Sequence, residues 1–330
     1  MTRVFSGIQP TGHKHVGNYL GAIRHYVADQ ESYGGESIFC VVDLHSMTLP
    51  YEPATLRERS LDTAMLLIAS GLDPERCILF VQSHVHEHCE LAWIFDCVAT
   101  MGELGRMVQF KEKGEGKDSV SLGLFGYPVL QAADILVHRA DRVPVGEDQR
   151  QHLELTRDIA QRFNHRYGDT FPLPRAAIAP EASKIMDLQE PERMMSTSRS
   201  SEEGKILVLD EPDAIRKKLR RAVTDSGGEV RAAPDKPGIT NLLEMLSAMS
   251  STPVAELEAR YSGSGYGAFK ADVGDAIVEY LAPVRERYRE LASDPAEVER
   301  ALGRGADRAQ ASAQSVLAEV RERVGLLARR

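Results

Sequence analysis

Apolar residues in the N-terminal part of the chain come in short blocks separated by longer amphipathic stretches. Residues 3–8 read as a buried strand, 18–31 as a helix, and 37–43 (SIFCVVD) as a second strand rich in β-branched residues. After Pro53, apolar Leu61, Ala64, Met65 and Ile68 recur at the i, i+3, i+4, i+7 spacing of one helix face, and Gly71 stands where a C-capping glycine belongs. Residues 77–82 (CILFVQ) make a third apolar strand and 88–101 a further helix. Strands joined by helices need crossover connections, so the pattern predicts an α/β fold with a doubly wound parallel sheet. Ligands of such sheets bind beyond the carboxyl ends of the strands. Residues 9–17, 43–46 and 82–87 are therefore expected around one cleft, and a strand at 142–145 should bring GEDQ (146–149) to the same rim.

The pattern changes near Pro172. Residues 172–203 read as loop, with Pro172, Pro174, Pro180, Pro191 and a serine-rich run, and beyond Asp213 helical spacing dominates, interrupted by GGEVRAAPDKPG and SGSGYG. Residues 295–327 read as a long terminal helix that opens on Pro295, where the missing N–H costs nothing. A division near residue 190 follows, and no internal repeat is visible.

Composition narrows the class. At 330 residues the chain can hold one large and one smaller domain. Hydrophobic residues at 42%, charged at 27% and aromatics at 6% describe a soluble globular protein. No apolar run approaches the roughly 18 residues of a membrane span, and no signal-peptide pattern opens the sequence, so a cytoplasmic protein without a membrane partner is expected. Cys40, Cys77, Cys89 and Cys97 lack C-x-x-C spacing and lie in apolar or helical stretches, which predicts core thiols rather than disulfides or a zinc ribbon. A net charge of -9 leans against a polyanionic partner unless a local basic patch serves it. RKKLRR (216–221), with Lys205 and Arg231, is the densest such patch; a solvated helix face explains it equally well.

Candidate chemistry begins at PTGHKHVGNYLG (10–21). Glycines at a strand-to-helix turn let backbone amides approach a phosphate, and the helix start adds partial positive charge. The spacing fits neither G-x-G-x-x-G nor the Walker pattern, and what remains is His15-Val16-Gly17-Asn18, a form of H-x-G-H/N, with a glycine-capped turn bearing exposed histidines as the alternative. His84, His86, His88 and Cys89 have the side chains of metal ligands, but their spacing straddles a strand end; they are expected to rim the cleft, and no metal site is expected. SGSGYG follows a helical stretch and reads as an interhelical turn.

The blocks FSGIQPTGHKHVGNYLGA, MGELGRMVQFKEK, YPVLQAADIL, VPVGEDQRQHLELTRDIAQRFN, RRAVTDS, KPGITNLL and GYGAFKADV follow one another along the chain. In these blocks and their order it resembles bacterial tryptophanyl-tRNA synthetase, a class I aminoacyl-tRNA synthetase, over essentially its whole length. The resemblance implies a Rossmann-type catalytic domain at 1–190 on which the C-terminal helix of about 295–330 packs back, a signature loop and smaller helical anticodon-binding domain at 191–294, and a homodimer. It implies that L-tryptophan, ATP with Mg²⁺, and tRNA(Trp) are the partners, with no DNA and no membrane. Activation would be an in-line attack of the amino-acid carboxylate on the α-phosphorus of ATP. The nucleophile is already ionised, so positioning and charge stabilisation must carry the rate.

By motif position, the resemblance assigns ATP contacts to Gln9, Thr11, Gly12, His15, Gly17, Asn18, Gly146, Asp148, Gln149, Ile185, Met195, Ser196, Thr197 and Ser198. Catalysis would rest on Gln9, His15, Asn18, Lys113, Ser196 and Ser198. The amino-acid pocket would be Phe5, Gly7, Val42, His45, Tyr127, Gln131, Asp134, Ile135, Val143, Val145 and Gln149. Gln131, Asp134 and Ile135 share one helix face by spacing, and a carboxylate in an apolar helix is costly unless paired; an indole N–H would pair it, and Arg139 or Arg142 is the alternative. Two positions depart from the family. Gln131 stands where a methionine commonly faces the indole, which could reshape the pocket toward another amino acid or an indole-like inhibitor, and MMSTS (194–198) replaces KMSKS with the loss of both lysines. Arg199, Lys205 and Lys113 are the charges that could compensate, so activation is expected to survive but run slowly. Tyrosine specificity, and a weakened paralog that binds tryptophan or adenylate, remain the alternatives.

Overall fold

The computed structural model describes residues 2–32, 36–114, 120–146, 149–177, 184–197 and 199–328. Five parallel strands, β1 (Arg3–Ile8), β2 (Glu36–Val41), β3 (Ile78–Val81), β4 (Arg142–Pro144) and β5 (Arg175–Ala177), form one sheet in the order β3-β2-β1-β4-β5. This is the Rossmann-type architecture. The chain fills one side of β1 and then the other, so the crevice where such folds bind ligands opens between the carboxyl ends of β1 and β4.

Strand periodicity decides which residues face which layer. Phe5, Ile38, Cys40, Ile78 and Phe80 point to one apolar layer, with the helices Glu87–Asp96, Leu122–Leu136 and Arg150–Tyr167; Ile8, Phe39, Val41, Leu79 and Val81 point to the other, with the helix Pro53–Ala69. That second layer continues without a break into Ile215, Leu219, Ile239, Leu242, Phe269 and Ile277 of the C-terminal helices. The terminal helix Pro295–Arg323 returns to the sheet and crosses β3 so closely that a Cβ on Gly305 would lie 1.9 Å from the Leu79 carbonyl oxygen. Several of its charges bind the body of the protein: Arg304 reaches Glu75 at 2.9 Å and Arg321 reaches Glu90 at 2.7 Å.

Some expectations need correction. The stretch read as loop after Pro172 contains β5, which pairs with β4 from Arg175 to Ala177; three residues are too few to show a period. Asp43 leaves the second strand to begin the short helix Asp43–Ser46, and the helix expected over 88–101 divides into Glu87–Asp96 and Met101–Leu104. Cys40 and Cys77 are buried thiols, but Cys89 and Cys97 are exposed. SGSGYG is turn only at its start, since the helix Gly265–Ser293 begins within it. Gly71 has φ +111°, and with Leu72 N–H on Leu67 O at 3.1 Å and Gly71 N–H on Ile68 O at 3.0 Å it closes its helix in a Schellman motif.

Candidate active site

A cleft of about 2570 Å³ opens at the carboxyl ends of the strands. Its first wall is the turn after β1. His15 caps the helix Val16–Asn18: its Nδ1 accepts the Asn18 N–H at 3.4 Å, and its own N–H donates to Asn18 Oδ1 at 3.1 Å. With Nδ1 accepting, the ring proton sits on Nε2. Burial, with Lys14 and Lys205 nearby, lowers His15 to about 4, so it faces the cleft as a neutral donor. Asn18 Oδ1 is engaged, which leaves its amide N–H groups for a ligand. A Cβ on Gly17 would lie 3.0 Å from the His15 ring. Five residues in π-helical form, Tyr19–Ile23, follow at once, an irregularity frequent beside functional sites; Gly21, Ala22, His25 and Tyr26 continue the wall.

Lys14 has a different task. Its Nζ donates to Gln9 O at 2.6 Å and Thr11 O at 3.3 Å, stapling the turn from behind. Burial and the Arg59 charge lower it to about 8. Lys14 and Gly12 line a separate cavity of about 220 Å³, and Thr11 is exposed, so Thr11 and Gly12 do not form the cleft wall as expected. Gly12 (φ +60°) instead lies against Thr197, whose Cγ2 would be 2.2 Å from an added Cβ.

The far end of the cleft gathers every residue expected around the amino acid: Phe5, Gly7, Val42, His45, Tyr127, Gln131, Asp134, Ile135, Val143, Val145 and Gln149. The Tyr127 hydroxyl is 2.7 Å from His152 Nε2 and 3.1 Å from Gln109 Oε1, and burial raises its phenol to about 12. Asp134 is 1% exposed and pairs with neither Arg139 nor Arg142. His45 Nε2–H donates to Oδ2, while Gln82 Nε2 and His88 Nδ1–H both donate to Oδ1, each at 2.7 Å. Burial pushes the Asp134 carboxyl up, but the His45 and His88 contacts outweigh it and hold the group well below the usual carboxylate range. Three of the roughly four acceptor positions of a carboxylate are filled. Gln82 and His88 are fully buried behind the cleft, whereas His45 lines it, so the open position belongs to Oδ2. Such a site takes a ligand that donates and does not accept.

The first 282 residues match the family described as tRNA synthetases class I (W and Y). The chain belongs to this family. It is 52% identical over 329 residues to tryptophan–tRNA ligase 2 of Streptomyces avermitilis, covering 98% of this chain and 97% of that protein. Among solved structures it resembles tryptophanyl-tRNA synthetase from Mycoplasma pneumoniae (TM-score 0.88, 36% identity, 99% and 98% of the two chains). It likewise resembles the Campylobacter jejuni enzyme complexed with ADP and tryptophan (TM-score 0.87, 33% identity, 98% and 100% of the two chains).

In this class I synthetase the segment around MMSTS lines the same cleft as His15, Gly17 and Asn18. Ile185, Met194, Met195, Ser196, Thr197, Arg199 and Ser200 line the cleft, Ser196 N–H donates to Ser200 Oγ at 2.9 Å, and Val16 N–H to Ile206 O at 2.8 Å joins the segment after the loop to the first motif. Met194 is 61% exposed, and Met195 is buried. Of the expected compensating charges Arg199 reaches the cleft; Lys205 instead pairs with Glu202 at 2.7 Å. Lys184, Arg193 and Arg150, not anticipated from the sequence, also line it, with Arg193 paired to Glu190 at 2.6 Å. Gln9, Gly146 and Gln149 line the cleft, while Asp148, Ser198 and the Lys113 side chain lie outside the described residues.

The basic run is less available than its charge suggests. Arg216 binds Asp275 at 2.7 Å, Lys218 binds Asp210 at 2.6 Å and Arg221 binds Glu203 at 3.0 Å. His88 is not the rim residue expected, and the helix shows where it belongs: His88, Leu91, Ala92 and Phe95 form its buried face at i, i+3, i+4, i+7. His84 and His86 are exposed, and among the described residues no group of three His, Cys, Asp or Glu side chains could hold a metal ion.

Proposed function

We propose that the chain is a tryptophan–tRNA ligase, which joins L-tryptophan to ATP, releasing pyrophosphate, and passes the tryptophanyl group to tRNA(Trp). The observation that carries this reading is the single open acceptor on Asp134 at the end of an apolar slot. An indole N–H is a donor-only partner of that kind, whereas a phenol would offer a lone pair as well. In the first step a carboxylate oxygen of tryptophan forms a bond to the α-phosphorus as the bond to pyrophosphate breaks. ATP enters as its Mg²⁺ complex, the metal being carried by the phosphates. His15 Nε2–H and the Asn18 amide are the neutral donors for developing phosphate charge, with Gln9 and the Ser196 hydroxyl also in the lining, and Lys184 and Arg199 supply positive charge in the cleft. In the second step a ribose hydroxyl of the tRNA attacks the adenylate carbonyl and AMP leaves.

Residues 191–294 are assigned to the anticodon and residues 1–190 with 295–330 to the catalytic body. The exposed Lys217 and Arg220 are the candidates for tRNA phosphates. A cytoplasmic homodimer is the proposed working state. Among the described residues no helix is long and apolar enough to cross a membrane.

Charging of tRNA(Trp) transcripts tests the reading, with tryptophanyl-tRNA formed from tryptophan and MgATP as the expected product. One observation favours a second reading, a slowed paralog that binds adenylate: both signature lysines are replaced, by Met194 and Thr197. Tight tryptophan binding without charging or pyrophosphate exchange would select it.

A further inference from the structure

Behind Asp134 lies a buried pair of histidines, His88 and His138, that does not line the cleft. His88 and His138 are both 0% exposed, their ring centroids 5.1 Å apart, and His88 Nε2 is 3.2 Å from His138 Nε2. Phe5 stacks on the His138 ring at 5.9 Å and Phe80 meets it edge-on at 5.8 Å. The charged groups around it are few: Asp134 beyond His88, and Arg3, whose Nη1 donates to the His138 carbonyl at 3.0 Å. His138 Nδ1 is buried with no partner among the described residues.

The protons of this pair follow from the contacts. Asp134 only accepts, so His88 must carry its proton on Nδ1. A neutral His88 then has a bare Nε2, and His138 must supply the proton between the two rings from its own Nε2. The remaining orphan is a lone pair on His138 Nδ1. The other arrangement, a His88 cation donating to His138, adds a buried charge and leaves an N–H on Nδ1 without an acceptor, the costlier orphan. Burial and the neighbouring His88 hold His138 well below the ordinary histidine range, which keeps it neutral.

We propose that His138 is a positioning residue for substrate recognition: its Nε2–H fixes the tautomer in which His88 donates Nδ1–H to Asp134. Oδ1 is thereby saturated from behind, and Oδ2 alone stays open to a ligand N–H. The inference rests on the reading of Asp134 as the contact for the indole N–H. Without the His138 donor, His88 Nε2 becomes a buried lone pair with no proton to accept, and the bond from its Nδ1–H to Asp134 loses the support that keeps the carboxylate from rotating.

Calorimetric titration of two amino acids separates the possibilities: tryptophan, and β-(benzothiophen-3-yl)alanine, which keeps the ring shape but carries sulfur in place of N–H. His138→Phe preserves the ring and its aromatic neighbours, and is expected to weaken tryptophan about 10-fold while leaving the thiophene analogue within about 2-fold. His138→Gln, which restores an amide donor, should recover tryptophan affinity to within about 3-fold. Unchanged tryptophan affinity in His138→Phe, or an equal loss for both amino acids, overturns the positioning role. Asp134→Asn in parallel judges the underlying reading: if that variant still prefers tryptophan to the analogue as the wild type does, the reading of Asp134 fails. Nitrogen-15 NMR of histidine-labelled wild-type protein tests the proton arrangement without any variant. His88 protonated on Nδ1 alone and His138 on Nε2 alone is the expected pattern, and His88 as the Nε2–H tautomer or the imidazolium contradicts it.

Discussion

His15 joins fold and chemistry in one side chain, since the capping bond that starts the helix also fixes which ring nitrogen faces the cleft. Its depressed basicity has a cost at low pH. The unfolded chain takes up a proton near 6.5 and the folded one only near 4, so stability is lost as pH falls through that window. Between pH 7 and 5 this residue should account for about 2 kcal/mol of lost stability. Urea unfolding at both values should show that share in the wild type and its absence in His15→Gln; equal pH slopes would refute it. At Met194 an exposed thioether, not a cation, lines the cleft. Met194→Lys should raise the rate of pyrophosphate exchange about 10-fold or more. An unchanged rate would mean that Lys184 and Arg199 already meet the demand.

Among the elements, the terminal helix depends on one missing side chain. Gly305 lets it cross β3 at backbone distance, and Gly305→Ala must push the helix away from Leu79. The expected cost is about 1–3 kcal/mol, seen as a fall of several degrees in Tm, and an unchanged Tm would contradict the close crossing. This crossing could not be read from the sequence, in which Gly305 is one weak helix former in an otherwise regular pattern. Elements governed by local physics were legible: β1 from its apolar run, the helix Pro53–Ala69 from its stripe and its Schellman glycine, and the cleft-facing stripe Tyr127, Gln131, Asp134 and Ile135 from helical spacing. Long-range convergence was not. His45, Gln82 and His88 come from three separate segments to one carboxylate, and the partners of Lys205 and Lys14 depend on how loops close. Thr11 and Gly12 show the same limit: being in the motif did not put them on the cleft wall.

At the scale of the molecule, two surfaces carry predictions. Trp93 (70% exposed), Met101 (76%) and Leu122 (81%) stand out on helices of the same apolar layer, and the Ser121 hydroxyl on Thr48 O at 3.4 Å brings Met47, Leu49 and Tyr51 beside Leu122. Sedimentation velocity should find a dimer that Leu122→Glu converts to monomer; a monomeric wild type, or a dimer indifferent to that change, would rule out this face. The second surface is the cleft, and the proposed function makes Asp134 the basis of its selectivity. ATP–pyrophosphate exchange with tryptophan and tyrosine side by side, in the wild type and in Asp134→Asn, tests that most directly. The wild type should turn over tryptophan with kcat/KM at least about 100-fold above tyrosine, and Asp134→Asn should lose most of that preference. Equal use of the two amino acids by the wild type, or a preference that survives in Asp134→Asn, would contradict it.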